Sequence, residues 1–286
     1  MMEELEYIRP GSLEDALTFL EANGGETKIL AGGTDVMVDL RAGQIRKRYL
    51  LDVSRLEELK GIALCDEGLC VGAGVTISEI DSSGVLSRYA PTLQKCARTF
   101  ASPQIRNVAT IGGNVAHCSP CGDTIPPLVI HGARAVLLSR KGRRDVPVEA
   151  IASGPYACSL PSEELIVKFV LKPEPELTFA DFIKIGRRKA LAIARISLAA
   201  MARQAEDGMI DYLRVSLGSC TPTPWRVEEV ENFLIGRKPT GKLLWEAGKI
   251  LAEKTIAITG RRPSAVYKEP AVQGLLVKML LPLASK

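Results

Sequence analysis

Residues 28–36 read KILAGGTDV: an apolar run of Ile29, Leu30 and Ala31 halts at Gly32-Gly33, passes Thr34 and Asp35, and resumes at Val36. Adjacent glycines lose more backbone entropy on folding than any other pair, so something here needs a backbone free of Cβ. A second double glycine stands in residues 110–114, TIGGN, where Thr110 and Ile111 lead into Gly112-Gly113 and Asn114. Either pair alone reads as a turn or as a ligand seat. Unshielded glycine amides approach a pyrophosphate closely, and successive N–H groups form an anion-binding concavity. Thr34, Asp35, Thr110 and Asn114 add side-chain hydrogen bonds. Two such loops about 80 residues apart suit a long ligand with a diphosphate at its middle.

Working outward, Ser12-Leu13-Glu14-Asp15 is a helix N-cap signature, with Ala16, Leu17 and Leu20 following at helical spacing. Residues 28–31 and 49–53 read as buried strands, which places Gly32-Gly33 at a strand-to-helix corner of a β/α unit. Farther on, the spacing predicts strands over 69–75 and 165–171, helices over 78–86 and 89–100, and a hairpin of 133–139 with 146–148. A loop-rich stretch over 101–127 carries the second glycine pair. Pro173-Glu174-Pro175-Glu176 marks a boundary. Beyond it, strands over 179–185, 194–203 and 210–217 precede helices over 227–234, 242–255 and 272–283. The fold class is therefore α+β, in three units: 1–55, 56–172 and 177–286. The last is a small antiparallel sheet with helices.

Several functions are disfavoured. A net charge of +4 with 5% aromatic residues falls short of a nucleic-acid footprint. The acidic opening Met1–Glu6 has no apolar core of a signal peptide and no run is long enough to span a membrane, so the chain reads as cytoplasmic with reduced cysteines. Gly72-Ala73-Gly74 lacks the third glycine of a dinucleotide fingerprint, with Ile77 in its place. Residues 236–243 have P-loop spacing, but Leu243 replaces the hydroxyl and Pro239 removes an amide. Cys118 and Cys121 are half of a metal site with no second pair, so no metal is expected. His131 lies in an apolar helix end and reads as structural, and no catalytic side chain is assigned.

KILAGGTDV together with FASPQIRNVATIGGN (residues 100–114) resembles the FAD-binding medium subunit of the molybdenum hydroxylases, the family of xanthine dehydrogenase and carbon monoxide dehydrogenase. The likeness continues through Asp123, SEELIVKFVL (162–171), FIKIGRRKALAIA (182–194) and SLGSCTPTPWR (216–226), and is greatest for the separate FAD subunits of bacterial xanthine dehydrogenases. It implies a two-part FAD-binding domain, 1–55 and 56–172, followed by a C-terminal flavoprotein domain. FAD would be held non-covalently by Ile29 to Val36 and by Thr110 to Asn114. Phe100, His117, Ser119, Asp123, Ile166 and Lys184 match further cofactor contacts. The resemblance also implies a large subunit with the molybdenum cofactor and a small one with [2Fe–2S] clusters, electrons passing through FAD to NAD+ or another acceptor. Seven cysteines are too few for two such clusters in this chain. The departure is Cys118 and Cys121, where relatives usually carry small or polar residues. A flavin-free scaffold and an unrelated FAD-dependent oxidoreductase of the same superfamily are the alternatives.

Overall fold

The computed structural model of the chain describes residues 5–174 and 176–284. Met1–Glu4 of the acidic opening, Pro175 of the expected boundary, and Ser285 and Lys286 lie outside them.

Three larger sheets and a two-stranded hairpin, Ala152–Gly154 with Ala157–Cys158, organise the described residues. The first is parallel, in the order Glu6–Ile8, Tyr49–Asp52, Thr27–Leu30. The helix Leu13–Asn23 crosses over between its strands, capped by the Ser12 hydroxyl, which accepts from the Asp15 N–H. The second sheet is antiparallel: Ile62–Cys65, Gly68–Gly72, Leu165–Leu171, Arg134–Ser139, Gly142–Pro147. Its middle strand, LIVKFVL, is apolar almost throughout because both faces are covered. Ile166, Phe169 and Leu171 enter one core with Leu69, Ile77, Leu93 and Leu128. Leu165, Val167 and Val170 enter another with Leu17, Leu20 and Leu51. The first two units therefore share a core.

The third sheet is antiparallel, Phe179–Ile185, Ile196–Gln204, Ile210–Gly218 and Trp225–Arg226. One face packs against Glu228–Leu234, Gly241–Thr259 and Ala265–Leu280. On the other, Phe182, Ala199 and Met201 meet Cys96 and Ile130 of the preceding part of the chain. Arg214 Nη1 donates to the Ile130 carbonyl at 3.2 Å and Tyr212 Oη to Glu174 at 3.0 Å, so the two halves are joined by polar as well as apolar contacts.

The structure departs from the sequence expectation in several places, among them the helix expected over 272–283, which begins at Ala265 and ends at Leu280. The helix expected over 78–86 is two, Ile77–Ser82 and Gly84–Tyr89, because Ser83 is extended and its hydroxyl caps the second through the Leu86 N–H. The stretch 101–127 holds three short helices, Pro103–Arg106, Ile111–Ala116 and Ile125–Ile130. Strands Glu6–Ile8 and Ile62–Cys65 were too short or too irregular to register as alternating patterns. The cysteines are not all reduced: Cys65 and Cys70 form a disulfide across the turn of the first hairpin. The P-loop-like stretch has a structural explanation, since Thr240 is the N-cap of Gly241–Thr259 and its hydroxyl accepts from the Leu243 N–H.

Candidate functional site

A cleft of about 450 Å³ opens where the loop 31–36 leaves the carboxyl end of the parallel strand Thr27–Leu30. Residues of the segments 109–117 and 158–166 supply much of its walls. The size suits a small-molecule site, and the carboxyl end of parallel strands is where such sites form.

The two glycine pairs build the cleft differently. A Cβ on Gly32 would lie 2.0 Å from the Val108 carbonyl oxygen and 2.9 Å from Ala109 Cα, so bare backbone is what lets the two walls touch. Gly33 has φ +71°, the left-handed region that favours glycine. After this turn Asp35 becomes the N-cap of Val36–Arg41 without a side-chain cap. The N–H groups of Gly32, Gly33, Thr34, Asp35 and Val36 meet no acceptor among the described residues. Five consecutive donors at the rim of a cleft form a seat for an anion.

At the second pair the amides are occupied. Ile111 N–H donates to Val75 O at 3.0 Å, Gly112 N–H to Ala73 O at 2.8 Å, and Asn114 N–H to Thr110 O at 3.0 Å. Gly113 N–H goes to the Thr110 hydroxyl at 3.1 Å, which caps the helix Ile111–Ala116. A Cβ on Gly112 would meet the Ala73 oxygen at 2.7 Å. This pair is the first turn of a helix pressed against a neighbouring strand end, and what it offers the cleft is side chains. Asn114 Oδ1 accepts from Thr124 Oγ1 at 2.7 Å, which fixes the amide and leaves its Nδ2 without a partner among the described residues.

Lys28 and Lys47 supply positive charge to the lining, with Asp35, Asp39 and Glu164 as the acids. Arg144 grips Glu164 through two bonds of 3.0 and 2.6 Å and so offsets its charge. His117 Nδ1 stands 3.7 Å from Asp35 Oδ1, and its ring meets Tyr156 edge-on at 5.2 Å. Ile29, Ala31, Phe100, Leu160 and Ile166 make the apolar wall.

Most residues singled out from the sequence border this cleft; Leu30, Ile111, Ser119, Asp123 and Lys184 do not. Leu30 belongs to the strand, its carbonyl accepting from Val53 N–H at 2.9 Å. Ile111 is buried in the core. Ser119 Oγ accepts from the Cys121 N–H at 3.2 Å. Asp123 Oδ2 and Lys184 Nζ form an ion pair at 2.5 Å, each side chain 8% exposed, joining the third sheet to the rest of the chain. Burial pushes the Asp123 carboxyl up, against the opposing pull of Lys184, and its Oδ1 is buried without a partner. Lys47, Leu59, Leu160 and Cys158 also line the cleft. Lys28 was legible as a flank of the quoted stretch; Cys158 carried no local signal.

This lining fits FAD: a row of free amides and two lysines for a diphosphate, and an apolar wall for rings.

Residues 3–173 match the family described as the FAD binding domain in molybdopterin dehydrogenase, and residues 181–283 the CO dehydrogenase flavoprotein C-terminal domain. The chain is 35% identical over 234 residues to the xanthine dehydrogenase FAD-binding subunit of Escherichia coli O157:H7, covering 81% of this chain and 80% of the relative. It is 30% identical over 280 residues to the carbon monoxide dehydrogenase medium chain of Hydrogenophaga pseudoflava, covering 96% and 95%. In three dimensions it matches a chain of the carbon monoxide dehydrogenase from Hydrogenophaga pseudoflava that lacks the Mo-pyranopterin moiety of the molybdenum cofactor. That match has a TM-score of 0.89 at 26% identity over the full length of both chains. Two consecutive domain matches that together span nearly the whole chain, in the order the fold shows, make this protein a member of the FAD-binding medium subunits of the molybdenum hydroxylases.

Proposed function

We propose that the cleft holds FAD non-covalently, with its diphosphate on the amides of Gly32 to Val36, and that the chain relays electrons within a xanthine dehydrogenase-like complex. The row of five free N–H groups carries this reading. Lys28 and Lys47 neutralise the diphosphate, and Asn114 Nδ2, held by Thr124, donates to the cofactor. Ile29, Phe100 and Ile166 exclude water from its rings. Thr34, Asp35, Thr110 and His117 offer polar contacts at the rim, while Leu30, Ile111 and Ser119 support the loops that make them. Asp123, steered by Lys184, presents its free Oδ1.

Bound FAD supplies a centre that takes electrons singly and releases them in pairs. A chain with this role works beside a large subunit carrying the molybdenum cofactor and a small subunit carrying [2Fe–2S] clusters, with NAD+ as acceptor, in the cytoplasm. The names of the relatives support the assembly, since both belong to multi-subunit dehydrogenases. Titrating purified protein with FAD while following flavin fluorescence and absorbance tests the reading. Saturable quenching, with a flavin spectrum that survives gel filtration, is expected. A free-flavin spectrum throughout would overturn it. NADH-dependent bleaching of the bound flavin tests the acceptor separately.

A further inference from the structure

The Cys-x2-Cys spacing of Cys118 and Cys121 does not make a pair in the fold. Ser219 N–H donates to the Pro120 carbonyl at 3.0 Å, which sets Cys121 beside the segment of Cys220, whereas the Cys118 sulfur lies against Ile151, next to the hairpin that carries Cys158. We propose that Cys118 and Cys158 form a peroxide-reactive dithiol in the wall of the cleft, oxidised reversibly to a disulfide.

The geometry joins the two segments that carry these cysteines. Cys118 follows the helix Ile111–Ala116, in a left-handed conformation with φ +52° that few non-glycine residues adopt. Its carbonyl accepts from the Tyr156 N–H at 2.8 Å, which binds it to the hairpin of Ala152–Gly154 and Ala157–Cys158. Its Sγ lies 3.8 Å from the Ile151 carbonyl oxygen, which also accepts from the N–H of Ser159, the residue after Cys158. Ala152, the residue after Ile151, pairs with Cys158 across this hairpin, so the Cys118 sulfur and Cys158 share one neighbourhood. Both are free, Cys158 exposed toward the cleft and Cys118 2% exposed.

That asymmetry assigns their roles. The neighbouring Cys158 thiol and burial push the Cys118 thiol up, while the Cys118 thiol, the Leu160 N–H and the charge of Lys28 draw Cys158 down to about 6. The accessible, ionised sulfur is the nucleophile and the buried one resolves it. Cys158 thiolate attacks one oxygen of a hydroperoxide; the O–O bond breaks and hydroxide leaves, giving the sulfenic acid. Cys118 then attacks the Cys158 sulfur, the S–S bond forms and the S–O bond breaks. The Cys118 proton neutralises the departing hydroxide. Two thiols lose two electrons, and hydrogen peroxide becomes two waters. A small dithiol restores the pair by exchange. The bond would staple the hairpin to the segment after Asn114.

The test uses full-length protein without added FAD, so that it stands or falls apart from the flavin reading. After one equivalent of hydrogen peroxide, free thiols are capped and the peptides mapped by mass spectrometry. Expected are loss of two of the five free thiols and a Cys118–Cys158 linked peptide that dithiothreitol reverses. In Cys118→Ser, Cys158 is expected to be trapped by dimedone as the sulfenic acid. Iodoacetamide labelling of Cys158 should rise with a midpoint near pH 6. No linked peptide in the wild-type chain, or a midpoint at the ordinary thiol value of about 8.5, would overturn the proposal.

Discussion

The two double glycines look interchangeable in the sequence, yet they solve different problems. At Gly32-Gly33 the missing side chains allow one wall of the cleft to touch the other, and a left-handed turn leaves five amides free. At Gly112-Gly113 each amide is already bonded, to Ala73 or to the Thr110 hydroxyl, so that pair carries a helix start and aims Asn114 at the cleft. A glycine pair is thus no more than permission for close approach. What approaches, chain or ligand, depends on which donors remain unspent.

Substitutions separate the two roles. The largest effect is expected from Gly32→Ala, whose Cβ would collide with the Val108 carbonyl, a backbone group that cannot swing away. We expect a loss of about 3–4 kcal/mol, near the upper end for point substitutions, read by urea denaturation of the FAD-free protein. Unchanged stability would mean the walls do not meet there.

Measurements of this kind must respect a pH floor set elsewhere. His131 is fully buried, its Nε2 2.9 Å from Thr92 Oγ1, and burial lowers it to about 4 from the ordinary 6.5. Because the folded value lies below the unfolded one, the unfolded chain takes the proton first. Stability is therefore undiminished above pH 6.5 and falls as pH drops toward 4, by about 3 kcal/mol. Denaturation midpoints at pH 7 and pH 4.5 check this, and His131→Gln should flatten that part of the difference.

Gly33→Ala acts on the seat rather than the contact. A left-handed alanine costs about 1–2 kcal/mol, and relaxing that strain would turn the amide row out of line. FAD affinity should fall about tenfold or more in a fluorescence titration, with a smaller stability loss than for Gly32→Ala. If Gly33→Ala binds FAD like the wild type, the row of free amides is not the diphosphate seat. Smallest is Thr110→Ala, which removes the helix cap at the second pair. About 1 kcal/mol of stability should go, visible as a lower thermal midpoint, with less loss of FAD affinity than Gly33→Ala causes.

Local chemistry made much of this molecule readable. The unbroken apolar strand at 165–171 announced a surface covered on both sides, and the Ser12 cap and the leucines behind it announced the first helix. The motifs flanking both glycine pairs were sufficient to identify the family before any contact was known. Short strands such as Glu6–Ile8 and the three-turn dissection of 101–127 were not readable, because three to six residues carry too little periodicity.

By itself, then, the sequence determined the α+β class, the longer elements and the family, since each is written in neighbours a few positions apart. Only the tertiary structure decided which glycine amides stay free. It alone paired Asp123 with Lys184, 61 residues away, and set the Cys118 sulfur against Ile151, beside the hairpin that carries Cys158. Those outcomes depend on which distant segments the topology brings within bonding distance, and spacing along a chain does not encode that.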